Sequence, residues 1–185
     1  MTYAQIVSAV KKLKKRYGTS DPYELCNCLN IKVIQGHHGT GEGSLKGFFM
    51  EHCRIRIITV NADLPKIFQR IIIAHELGHA VMHRAEGVRT FQDVTMFDSS
   101  STCEKEANLF AAELMLEDDD VFEKLNADCT FFTAAEALFV PMELLDFKFR
   151  MMKWKGYMLM EAPISARSNF LRDVEVPRND DDHIC

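Results

Sequence analysis

The chain has 185 residues, of which 47% are apolar and 26% charged, with a formal net charge of −5. That length holds one domain with a core plus a short appendage, and that composition is the composition of a soluble globular protein. The negative balance argues against nucleic acid as a direct partner, since binding phosphates calls for a basic footprint.

In chain order, Tyr3, Ile6, Val7, Val10, Leu13 and Tyr17 recur at helical spacing and predict a helix over 2–17, with Lys11, Lys12, Lys14, Lys15 and Arg16 on its wet face. Asp21-Pro22 reads as an N-cap and first helical residue, opening a second helix to about Leu29. Cys26 and Cys28 lie on that helix two residues apart and face different ways, and no second Cys/His pair at zinc-finger spacing accompanies them. Without an export signal or an apolar run of membrane-span length, the expectation is a cytoplasmic protein whose six cysteines are reduced.

Residues 31–34 predict a short strand, and the glycine-rich 36–43 a flexible loop in which His37 and His38 are loop residues rather than ligands. Residues 45–51 and 54–60 predict a β-hairpin turning around Glu51-His52-Cys53. A helix follows over 64–83, then an irregular polar stretch over 84–100. A further helix over 102–117 is closed by the acidic run Glu117 to Asp120. Two shorter helices complete the set, one before Pro141 and one from Met142 to about Lys153. The polar tail from Pro163 to Cys185 is expected to be mobile.

The chemistry concentrates in Ala74-His75-Glu76-Leu77-Gly78-His79, an HExxH motif. Positions four apart on a helix stack on one face, so His75 and His79 can grip one ion together. Glu76 lies one step round the helix, near the ion but off the ligand axis, as suits a general base. Phe68, Ile71, Ile72 and Met82 set the pair in a cleft. A catalytic zinc takes three protein ligands and keeps one position open. Downstream, Glu104 is the best third ligand and Glu106 its competitor, while Asn108, four residues after Glu104, could orient a zinc histidine. A purely structural reading of Glu104 competes: Ser101-Thr102-Cys103-Glu104 is also a capping box. His83 is a candidate oxyanion stabiliser or a structural residue, and Cys103, beside Glu104, reads as an inert thiol.

Three blocks in this order resemble the ImmA/IrrE metallo-endopeptidases of bacteria and their mobile elements. They are Ile58-Thr59-Val60-Asn61, Ala74 through His83, and Glu104-x-x-Ala107-Asn108-x-Phe110-Ala111-Ala112-Glu113-Leu114-Met115. Leu45-Lys46-Gly47-Phe48-Phe49 fits as the first hairpin strand, and the resemblance covers roughly residues 20–150. It implies an α+β, small zincin-like domain over 1–125 and a helical, helix-turn-helix-like segment over 126–160, after which the polar composition leaves 161–185 as a flexible tail. It implies a gluzincin-like site, with His75, His79 and Glu104 on zinc and Glu76 as base. It also implies a protein substrate, a helix-turn-helix repressor of a mobile element or stress response. The alternative is an anti-repressor that keeps the fold and binds without cutting. The family's proline after the Phe-Ala-Ala helix is replaced here by Glu117-Asp118-Asp119-Asp120.

Overall fold

The structure is a computed structural model that describes residues 1–41, 43–83, 102–126 and 130–171. The irregular stretch expected over 84–100, the Ser101 half of the capping box, Cys129 and the tail beyond Leu171 lie outside the described residues. Two helices come first, α1 (Tyr3–Tyr17) and α2 (Pro22–Cys28). Thr2 and Gln5 close a capping box at the start of α1, and Asp21 accepts from the Tyr23 and Glu24 amides to cap α2, as its Asp-Pro start predicts.

Three strands follow, β1 (Ile31–Gly36), β2 (Gly47–His52) and β3 (Ile55–Asn61). They form one sheet in the order β1-β3-β2, with β1 parallel and β2 antiparallel to β3. The hairpin turn is Cys53-Arg54, both at positive φ (49° and 66°), and His52 pairs with Ile55. Two left-handed residues make the tight turn whose twist matches the strands. The turn therefore falls one residue later than expected, and Arg54 belongs to it rather than to β3.

The remaining helices are α3 (Lys66–Met82), α4 (Thr102–Met115), α5 (Asp118–Asn126), α6 (Phe131–Ala137) and α7 (Met142–Trp154). Helix α3 packs on the sheet with one side and on α4 with another, and α4 packs in turn against α1 and α7. Ile58, Val60, Ile71, Ile73, Leu77, Phe110, Leu114, Leu144 and Phe147 fill the core between them. The fold is thus the α+β arrangement expected.

One expectation is corrected. The acidic run does not simply close α4: Asp118, Asp119 and Asp120 form the first turn of α5, where carboxylates complement the positive end of the helix dipole. The first part of the segment after Pro163 packs on the fold. Ala166, Phe170 and Leu171 are buried, and the Phe170 ring lies 5.7 Å from that of Phe147 on α7.

Candidate metal centre

Helix α3 carries His75 and His79 one turn apart, and both are buried. Helix α4 reaches them because the two backbones pass close. A Cβ added at Gly78 would meet Phe110 Cδ1 at 3.1 Å and the Ala107 Cα at 3.3 Å. Small residues at this crossing let α4 bring its first turn, with Glu104, over the histidine face.

There the three side chains converge. His75 Nε2 and His79 Nε2 are 3.1 Å apart. Glu104 sets Oε2 3.2 Å from the first and Oε1 3.2 Å from the second. The two Glu104 contacts run through different carboxylate oxygens, and one ligand atom from each of the three residues lies within 4.8 Å of the other two, so small side-chain shifts bring all three to one ion with bonds of about 2.0–2.2 Å. Among the described residues this is the one group of His, Cys, Asp and Glu side chains placed to hold a metal.

The far side of each imidazole decides which nitrogen is bare. His75 Nδ1 lies 2.8 Å from Asn108 Oδ1, an acceptor, so Nδ1 carries the proton and Nε2 presents a lone pair to the centre. His79 Nδ1 lies 3.0 Å from His83 Nδ1, and His83 Nε2 lies 2.8 Å from Glu106 Oε2. His83 Nε2–H donates to the Glu106 carboxylate, His83 Nδ1 accepts from His79, and His79 Nε2 is bare as well. Two lone pairs and a carboxylate facing one another call for a cation between them, so the donor set fits a metal. Before an ion binds, a proton on Nε2 is the cation these groups share. Burial is the largest influence on His75 and pulls its pKa down, but the hydrogen-bonded Glu104 and the charge of Glu76 lift it net above 6.5. Burial also pushes Glu104 up, yet its bonds to His75 and His79 hold it well below the usual carboxylate range.

Glu76 is half-buried beside the cluster, on the next position of α3. Glu106, the competitor for the third position, stands behind His83 and also meets the Met1 amino group. His83 stands behind His79. That relay was not foreseen, although its signal is in the sequence: His83 is four residues past His79, on the same helix face. His37 is away from the cluster, its Nδ1 on Asp63 Oδ1 at 2.5 Å. Burial, above all, pushes the Cys26 thiol up to about 12, so it is inert, and Cys28 is exposed.

Comparison with known proteins then decides the family. Residues 26–150 match the IrrE N-terminal-like domain, a peptidase family. The chain belongs to that family. A protein of Bacillus phage phi105 called uncharacterized immunity region protein 2 is 36% identical over 148 residues, 79% of this chain and 90% of the phage protein. The metallopeptidase ImmA of Bacillus subtilis strain 168 is 32% identical over 120 residues, 63% of this chain and 66% of ImmA. As an ImmA/IrrE-family metallopeptidase the chain is a protease whose family implies a metal ion and a protein substrate. No helix among the described residues is long and apolar enough to cross a membrane.

Proposed function

We propose that this protein is a zinc-dependent endopeptidase, with His75, His79 and Glu104 as the metal ligands and Glu76 as the general base. The observation that carries the reading is the convergence of His75 Nε2, His79 Nε2 and the two Glu104 carboxylate oxygens, in contacts of 3.1–3.2 Å, beside Glu76. Two nitrogens and one carboxylate are a zinc donor set, and three protein ligands leave a position open, whereas a structural zinc site is closed by four. Zinc held there supplies Lewis acidity, which polarises a carbonyl and brings the pKa of water towards about 7. Glu76 takes the proton of the attacking water and returns it to the leaving amine. Asn108 and His83 keep the two imidazoles in the tautomer that leaves Nε2 free.

The substrate we propose is a helix-turn-helix repressor, met in the cytoplasm. The name of the phage relative, an immunity region protein, supports a role in controlling such a region. Purified protein is expected to hold about one zinc per chain, as a single three-ligand site requires, and to cleave a helix-turn-helix repressor when incubated with it. Glu76→Gln should keep the zinc and lose the cleavage. Normal cutting by that variant contradicts the base assignment. A stable complex with intact repressor, formed by the zinc-loaded wild type, favours the non-cleaving anti-repressor instead.

A further inference from the structure

Asn108 has a second partner, far along the chain. Its Nδ2 donates to the Ser168 carbonyl at 2.6 Å, while its Oδ1 faces His75 Nδ1. Asn108 is fully buried, so water does not replace either partner. The amide can be read only one way round because its NH2 end is committed to Ser168. Without that acceptor the amide is free to turn over. A flipped Asn108 presents NH2 to His75 Nδ1, which then must be bare, and the proton moves to Nε2, where the metal should bind.

The segment supplying that carbonyl is held down by α7. The Ala166 N–H donates to Asp146 Oδ2 at 2.9 Å, and the Arg150 guanidinium donates to the Ala166 carbonyl at 2.9 Å. Arg150 also pairs with Asp146 and lies over the Phe147 ring, against which Phe170 packs. Residues 163–171 therefore form a strap from α7 to α4, beyond the 26–150 span of the family domain.

We propose that this strap is a positioning element of the metal centre: through the Ser168 carbonyl and the Asn108 amide it fixes the His75 tautomer that binds metal. The proposal rests on the metal site described above. Coupling of this kind is reciprocal, so metal binding must hold the strap as much as the strap favours metal.

The test uses the full chain, with Asp146→Ala and Phe170→Ala, neither of which touches the proposed ligands. Zn²⁺ affinity is measured by competition with a chelator, and amide exchange over 166–171 is followed with and without Zn²⁺. Imidazole ¹⁵N shifts, recorded at a pH high enough for His75 to be neutral, report its tautomer before metal is added. In the wild type, Zn²⁺ is expected to slow exchange over the strap, and His75 to carry its proton on Nδ1. In the variants the strap exchanges faster, His75 shifts towards the Nε2–H form, and Zn²⁺ affinity falls about 10–100-fold, the usual effect of losing an outer partner of a metal-bound histidine. A destabilised but uncoupled strap would leave the tautomer and the affinity alone, and that result overturns the proposal. So does a strap that stays protected in both variants, because its anchors would then be wrong. A wild type that binds no Zn²⁺ refutes the metal-site reading itself, a different outcome.

Discussion

His83 and Gly78 act on the centre from behind the residues that face it. His83 accepts from His79 and donates to Glu106, so a side chain able to do both should stand in for it. His83→Gln offers a carbonyl to His79 Nδ1 and an amide to Glu106, and is expected to retain near-native Zn²⁺ affinity. His83→Leu offers neither and should weaken binding about 10–100-fold. Chelator competition distinguishes them, and equal affinities would show that the relay is passive. Gly78 acts through distance. A methyl there would press on Phe110 and on the Ala107 backbone of α4, so α4 has to move away by a few tenths of an ångström. Gly78→Ala is expected to lower Zn²⁺ affinity more than its effect on thermal stability would suggest, because Glu104 moves with α4.

At the scale of elements, α4, α5 and α7 are tied by a square of alternating charges. Lys148 Nζ lies 2.9 Å from Glu113 Oε2 and 2.6 Å from Asp118 Oδ1. Lys155 Nζ closes the square, 2.6 Å from Glu113 Oε1 and 2.7 Å from Asp118 Oδ2. Lys148 is 1% exposed, so Lys148→Ala leaves Glu113 and Asp118 with Lys155 as their shared cation and should lower stability in denaturant unfolding, by less than the about 3–5 kcal/mol that an uncompensated buried charge costs. Asp118 feels burial most strongly, which raises its pKa, but its bonds to Lys148 and Lys155 hold it net below 3.8. A depressed folded pKa gives stability that is present above 3.8 and is lost as pH falls through the folded value. Asp118→Asn should therefore flatten the loss of stability below about pH 4, the ordinary carboxylate range. Close approach also governs the sheet. A Cβ at Gly47 would sit 2.4 Å from Ile72 Cγ2 and 2.9 Å from the Thr59 carbonyl, so Gly47→Ala should destabilise by about 1–3 kcal/mol, read as a lowered unfolding midpoint.

These elements also show where sequence patterns suffice. Helix α3 was legible because its apolar positions repeat and its histidines stack at four-residue spacing. Helix α1 was legible from its single apolar stripe. Helix α5 was not, since three aspartates read as a terminator unless they are assigned to the positive end of a new helix. Val121, Phe122 and Leu125 carried the missing signal. The hairpin shifted by one residue because Cys53 and Arg54 have no glycine or asparagine to announce a left-handed turn.

Taken whole, the molecule brings to one point groups from residues 75, 104, 108 and 168. The first three could be drawn together from motif spacing. The fourth could not, because a backbone carbonyl in a polar segment has no sequence signature; packing of Phe170 and Leu171, with the bonds of Ala166 to Asp146 and Arg150, brings it back to the core. Metal binding should therefore stabilise the whole chain and not the α3–α4 pair alone. With free Zn²⁺ at 100 times its dissociation constant, linkage adds about 2.7 kcal/mol, or about 5–10 °C in unfolding temperature for a chain of this size. Chelation should remove that increment, and an unchanged midpoint would mean that metal does not bind the folded state preferentially.

The centre itself is tested most directly by anomalous diffraction at the zinc edge from crystals of the zinc-loaded protein. One anomalous peak is expected, about 2.0–2.2 Å from His75 Nε2, His79 Nε2 and a Glu104 oxygen. A peak elsewhere, or a Glu104 side chain turned away from the two imidazoles, contradicts the assignment.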